Sequence, residues 1–218
     1  MCGIAGAVGL GAPPDEELVG HVLGSLAHRG PGSAGHRYHG GCWLGFRRLP
    51  ILDLSARADQ PMVDEDSGVA LVYNGEIYNY LELRAELEGK GHRFRTTGDT
   101  EVLLHAYVEW GAEAFERCNG MWAVAVDDPR HEGLLLARDR FGEKPLHVGR
   151  AADGAWWFAS EVRPLLWAGV SSRRLDRVRA LGFLALGDVE DPCRSYVEGI
   201  EQVPPGGHVR LTARGLGP

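Results

Sequence analysis

The sequence predicts an α+β fold built on antiparallel strands, and three observations carry that prediction. Stretches with apolar residues at every second position open the chain and dominate its second half. Stretches of helical period lie between them. Strands and helices do not alternate strictly, which argues against a doubly wound parallel sheet. Residues 2–10 place Cys2, Ile4, Gly6, Val8 and Leu10 on one face and Gly3, Ala5, Ala7 and Gly9 on the other, a strand tightly covered on its small-residue side. Pro13, Pro14 and the acidic run 15–17 open a helix through Leu18, Val19, Val22, Leu23 and Leu26, which Gly30-Pro31 stops. A loop of Gly, His and Arg follows, then short strands at 42–47 and 69–73. Helices are expected at about 79–88 and 100–110. MWAVAV (121–126), GLLLAR (133–138) and WWFAS (156–160) read as an antiparallel meander, 161–186 as helical, and HVRL (208–211) as a last strand behind Pro204-Pro205-Gly206-Gly207.

The chain has 218 residues and a formal charge of −7. That is the wrong sign for a protein that works on phosphate backbones, so nucleic acid is not the expected partner. No run reaches the roughly 18 apolar residues needed to span a bilayer, so no membrane role is expected. The apolar opening lacks the basic n-region of a secretory leader. Four cysteines (Cys2, Cys42, Cys118, Cys193) are widely spaced with no C-x-x-C pair, which suits a reducing, cytoplasmic setting.

Cys2 directly follows the initiator methionine. Removal of Met1 leaves one residue carrying both a thiol and a free α-amine. An α-amine has an ordinary pKa near 7.7–8.0, so part of it is unprotonated at neutral pH and can take the thiol proton. The thiolate can then attack an acyl carbon without a distant histidine. From position alone Cys2 also fits a small buried strand residue.

The other motifs decide between these. CGIAG (2–6), HRGPG (28–32), RRLPILDLS (47–55), QPM (60–62), YNGEIYN (73–79), GDTE (98–101), DRFGEKPL (139–146), FASE (158–161) and PPGGH (204–208) occur in one order over nearly the whole chain. Together they resemble the glutaminase domain of glutamine-dependent asparagine synthetase, a class II amidotransferase of the N-terminal nucleophile hydrolases. The resemblance implies an αββα sandwich of two antiparallel sheets flanked by helices, with Cys2 at the end of a central strand. It implies that Cys2 attacks the side-chain amide of L-glutamine to give ammonia and a glutamyl thioester. It assigns the oxyanion hole to the Asn74 amide and the Gly75 N–H, which an Asn-Gly turn between strand and helix would aim. It places Arg48 at the substrate carboxylate, with Leu49, Ile51 and Leu52 of the same segment, and Glu76 and Asp99 at the amino end or the amide. Asp99, just before a helix, also suits an N-cap. Arg47 and Asp53 read as structural salt-bridge formers.

Two positions depart from the family pattern. Gly32 in HRGPG stands where an acid is usual, which leaves His28 and Arg29 to anchor the loop and weakens the expected hold on glutamine. Glu143 replaces an apolar residue, and Lys144 beside it reads as a surface partner. FASE and PPGGH read as fold-defining. The domain is expected over 2–211 with 212–218 as a linker stub. No S-G-G-x-D-S-like phosphate loop is present, so the ATP-pyrophosphatase domain is absent and ATP and Mg are expected only on a separate synthetase domain or subunit, the partner that takes the ammonia. A homodimer is one assembly the resemblance allows. Three other readings compete: a zinc site from His36, His39 and Cys42, which lacks a fourth ligand; a catalytically weak docking or regulatory domain, favoured by Gly32; and a glutaminase-like part of an enzyme making natural-product amides.

Overall fold

The computed structural model describes residues 1–187 and 193–217. The first half of the chain forms β1 (Gly3–Val8), α1 (Glu16–Gly24), β2 (Ala34–His39), β3 (Cys42–Arg47), β4 (Met62–Val63), β5 (Ala70–Ile77), α2 (Tyr80–Gly89) and α3 (Asp99–Trp110). The second half forms α4 (Ala114–Arg117), β6 (Gly120–Asp127), β7 (Leu134–Arg138), β8 (His147–Arg150), β9 (Trp156–Ala159), α5 (Val162–Trp167), α6 (Arg177–Leu186), β10 (Ile200–Gln202), β11 (His208–Thr212) and β12 (Gly215–Gly217).

Two six-stranded sheets stack face to face, in the orders β10-β8-β9-β1-β3-β2 and β12-β11-β7-β6-β5-β4, and every pairing is antiparallel. The core between them joins Ile4, Val8, Leu44, Phe46 and Phe158 of the first sheet to Val72, Ala123, Ala125, Leu134 and Leu136 of the second. The outer face of the first sheet packs Ala5, Ala7, Trp43 and Trp157 under Val19, Val22 and Leu23 of α1 and Leu165 of α5. The outer face of the second packs Leu71, Tyr73, Val124 and Val126 under α2 and α3. Alternation along each strand sends successive side chains to opposite layers, and this produces the expected αββα sandwich. The small face of β1 is covered as predicted: a Cβ on Gly3 would lie 2.9 Å from Cβ of Leu26.

Several local expectations are corrected. The loop after α1 contains a strand, β2, which polar residues disguise because it lies at the sheet edge with half its positions exposed. The meander is broken: β6 and β7 pair, but β9 crosses to the other sheet beside β1, a long-range pairing that local periodicity does not encode. Between 161 and 186 the helix is interrupted at 168–176, where Gly169 and Arg173 have φ of 72° and 61°. The segment expected as a linker contributes β12 to the second sheet. His36 and His39, three apart in a strand, point to opposite faces; Trp43 Nε1 donates to His36 Nδ1 at 3.4 Å, while His39 lies 3.2 Å from Asp127.

At Gly6 the two layers meet most closely: a Cβ there would lie 2.3 Å from the Phe158 ring and 2.5 Å from the Trp43 carbonyl. Gly6→Ala should therefore destabilise the fold by about 1–3 kcal/mol, read from the urea unfolding midpoint.

Candidate active site

The site lies between the two sheets where β1 begins. Cys2 shares the face of Ile4 and Val8, so its half-buried thiol points into the inter-sheet space. The backbone of Leu49 brackets it: the Leu49 N–H donates to Sγ at 3.4 Å, and the thiol points back to the Leu49 carbonyl at 3.7 Å. Burial pushes the Cys2 pKa above its ordinary 9.0, against the opposing pull of the Leu49 N–H, the amino terminus and Arg48. The resting sulfur is thus a thiol, and a base must accept its proton before it can attack.

Asn74 comes from β5, whose alternation turns Ala70, Val72 and Asn74 towards the same inter-sheet space. It is 1% exposed, and among the described residues neither its Nδ2 nor its Oδ1 has a hydrogen-bond partner. The expected Asn-Gly turn is corrected, because Asn74 and Gly75 lie inside the strand, opposite Ala123 and Trp122 of β6. Glycine is needed for close approach: a Cβ on Gly75 would lie 2.4 Å from the Met121 carbonyl and 2.6 Å from Trp122 Cα. The other edge of β5 is open here. The Tyr73 N–H donates to Gln60 Oε1 at 2.6 Å and the Ile77 N–H to Asp99 Oδ2 at 2.9 Å on that edge. Strand alternation turns the Gly75 N–H to the same edge, between these two.

One cavity is lined by Cys2, Arg48, Asn74, Gly75, Glu76 and Asp99, and Leu49, Ile51 and Leu52 form another part of its wall. All nine expected residues are therefore brought together. Their contacts refine the expectations. Arg48 is buried and donates to the Ser55 carbonyl at 2.7 Å, to Asp59 Oδ1 at 2.8 Å and to the Asp53 carbonyl. Asp99 is not the N-cap of α3, which Gly98 provides; it is the first helical residue, 6% exposed, and its Oδ2 also accepts from the Tyr73 hydroxyl at 2.7 Å. Arg47 donates to the Gly30 carbonyl at 3.0 Å rather than to an acid. Asp53 accepts from the backbone of Ser55 and Thr97 at 2.8 and 2.9 Å, which ties the 49–55 loop to the approach of α3 and holds its pKa below the ordinary carboxylate range.

Three features went unread in the sequence. Glu161, taken as fold-defining, accepts from Arg29 at 2.9 Å and lies 3.0 Å from His28 Nε2, while Arg29 Nε donates to the Cys2 carbonyl at 3.0 Å. The carboxylate that orients Arg29 thus comes from position 161, and Gly32 instead donates its N–H to the Arg48 carbonyl at 3.0 Å. Lys144 is no surface residue: it is 5% exposed, lines the cavity, and its Nζ lies 3.1 Å from the Met1 sulfur. Asp139, fully buried, places it by accepting from the backbone N–H of Trp122, Phe141, Glu143 and Lys144. The third is Gln60, whose side-chain amide bonds both the N–H and the carbonyl of Tyr73. The fixed D-x-x-x-x-K and Q-P-M spacings were the signals available, but which face they would serve depends on sheet pairing. Among the described residues no group of three or more His, Cys, Asp or Glu is arranged to hold a metal ion, and no helix is long and apolar enough to cross a membrane.

The paired antiparallel sheets between helix layers, with a cysteine leading into a central strand, define the fold class of N-terminal nucleophile amidotransferases. A model of the glutamine amidotransferase domain matches residues 1–217, and the chain belongs to that family. The glutamine-hydrolysing asparagine synthetase of Triphysaria versicolor is 40% identical over 167 residues, 76% of this chain and 28% of that protein. Asparagine synthetase 3 of Bacillus subtilis is 32% identical over 220 residues, covering 99% of this chain and 36% of that one. The chain spans about a third of the length of such relatives, between 28% and 36% in these two. Among solved structures, the glutamine phosphoribosylpyrophosphate amidotransferase of Bacillus subtilis superposes with a TM-score of 0.74 at 21% identity, over 99% of this chain and 48% of that one, a likeness of fold.

Burial alone would raise the Glu161 pKa, but its bonds to Arg29 and His28 outweigh burial and hold it below 4.5. A lowered folded pKa gives stability that is present above pH 4.5 and lost as pH falls through the lowered value. Glu161→Gln should lower the urea midpoint at pH 7, and the gap to wild type should close progressively below pH 4.5.

Proposed function

We propose that this domain hydrolyses L-glutamine to glutamate and ammonia through a thioester on Cys2. The observation that carries the reading is the Asn74 amide, buried without a partner in the cavity that the Cys2 thiol enters. A buried amide left unbonded costs about 1–3 kcal/mol, and a substrate oxygen that becomes an anion at this position would recover that cost when it matters.

With Met1 removed, the α-amine of Cys2 takes the thiol proton, directly or through one water. Sulfur attacks the glutamine amide carbon, and the carbonyl oxygen becomes an oxyanion held by Asn74 Nδ2 and the Gly75 N–H. Collapse breaks the C–N bond; the proton held by the amine passes to the leaving nitrogen, which departs as ammonia. Water, deprotonated by the same amine, then cleaves the thioester through a second oxyanion and releases glutamate. Glutamine carries a carboxylate and an ammonium besides its amide. Arg48 is the cation for the first: Ser55, Asp59 and Asp53 occupy both Nη1 donors and one of Nη2, which fixes the guanidinium plane and leaves the Nε–H and the second Nη2 N–H to meet the carboxylate. Asp99 is the carboxylate for the second, with Glu76 near the amide.

The ammonia is passed to an ATP-using synthetase, which holds ATP and Mg²⁺ and corresponds to the remaining two-thirds of the asparagine synthetase relatives, in the reducing cytoplasm. The pairing of Arg29 with Glu161 supports the active reading over a docking domain without activity, because it holds the residue bonded to the Cys2 carbonyl although position 32 is glycine.

Ammonia and glutamate released from glutamine test the reading directly. Cys2→Ala should abolish turnover, and Asn74→Ala should lower kcat about 10²- to 10³-fold with little change in KM. Protein that retains Met1, identified by intact mass, should be inert, because Met1 lines the cavity and withholds the Cys2 amine.

A further inference from the structure

Resting on that functional reading, we infer that Tyr73 is a positioning residue for substrate selection: its hydroxyl holds one oxygen of Asp99 so that the other faces the cavity and receives the ammonium of an α-amino acid.

Tyr73 and Asp99 are 2% and 6% exposed. Asp99 Oδ2 accepts twice, from the Tyr73 hydroxyl at 2.7 Å and from the Ile77 N–H at 2.9 Å. A carboxylate oxygen has about two acceptor directions, so these donors fill Oδ2 and leave acceptor capacity on Oδ1. The two donors approach from one strand, the ring side chain from the helix-facing side of β5 and the backbone N–H from its open edge, and together they set the plane of the carboxyl group. Burial pushes the Asp99 pKa up, and the bonds from Tyr73 and Ile77 oppose that. The hydroxyl therefore favours the ionised carboxylate that an ammonium needs.

Tyr73 is itself clamped. The Gln60 amide accepts from the Tyr73 N–H at 2.6 Å and donates to the Tyr73 carbonyl at 3.2 Å, in the manner of a neighbouring strand. The preceding residue, Asp59, accepts from Arg48 at 2.8 Å. Asp59 and Gln60 thus tie the group that meets the substrate carboxylate to the group that aims the ammonium receptor. The separation of two charged subsites is what selects an α-amino acid over a simple amide. A tyrosine placed only to fill the core beside α3 would need its ring and not its hydroxyl.

The test compares L-glutamine with glutaramate, the same skeleton without the α-amine, on wild type and Tyr73→Phe, which keeps the ring. The inference expects KM for glutamine to rise about tenfold with kcat within about twofold, as for loss of a hydrogen bond to a charged group, while kcat/KM for glutaramate moves less than about twofold. An equal loss on both substrates, or no loss on either, would overturn it. Asp99→Asn closes a cycle that holds even if the single Phe variant folds poorly: the inference expects the preference for glutamine to collapse in Asp99→Asn alone. A preference retained there overturns it. Wild-type protein that releases ammonia from neither substrate would instead overturn the functional reading.

Discussion

A primary amide sealed between two sheets, with both polar atoms unbonded, is a standing debt of solvation that a folded chain normally settles with a neighbour. Asn74 has no such neighbour because the layers around it are already committed. Ala70 and Val72 before it interlock with the first sheet, and Gly75 after it must stay bare to let β6 approach. The amide is thereby fixed in direction before any substrate arrives, and a donor that need not reorganise stabilises a developing oxyanion most effectively. Cys2, bracketed by the Leu49 backbone, lines the same cavity as that amide, together with Arg48 and Asp99.

The surrounding scaffold is stiff for reasons that can be named. Asp139 gathers four backbone N–H groups, and Arg138 donates to the carbonyls of Gly142, Lys144 and Val203, so the loop carrying Lys144 has little freedom. On the opposite side Glu161 fixes Arg29, and Arg29 fixes the Cys2 carbonyl. The start of the chain, which would otherwise fray, is held by a bond to the carbonyl of its second residue. Burial depresses the pKa of the Met1 amino group, with Arg29 and Lys144 acting in the same direction and Cys2 and Glu76 against it.

Much of this was legible in the sequence, and what was not has a common cause. Strong periodicity in β1, β3, β6, β7, α2 and α3 gave the antiparallel α+β class. The ordered motifs from Cys2 to His208 brought all nine candidate residues to one cavity. The errors lie where the outcome depends on residues far apart in the chain. Asn74-Gly75 reads locally as a turn, yet β6 pairs with it and makes it strand. Asp99, placed at the substrate by the family resemblance, suits a cap by its local position alone, yet Tyr73 and Ile77, more than twenty positions earlier, claim its oxygen. Glu161 reads only as part of a fold-defining motif and Lys144 as a surface charge until β9 crosses to β1 and the Asp139 cage turns the loop inward. Composition and spacing report the period of an element, and they do not report which sheet receives it.

The account stands or falls on one sulfur being the reacting atom. Natively trimmed protein should be incubated with the glutamine analogue 6-diazo-5-oxo-L-norleucine and its peptides mapped by mass. The account predicts a single adduct per chain, on Cys2, slowed by excess glutamine. A chain that stays unlabelled, or an adduct on Cys42, Cys118 or Cys193 in its place, would contradict it.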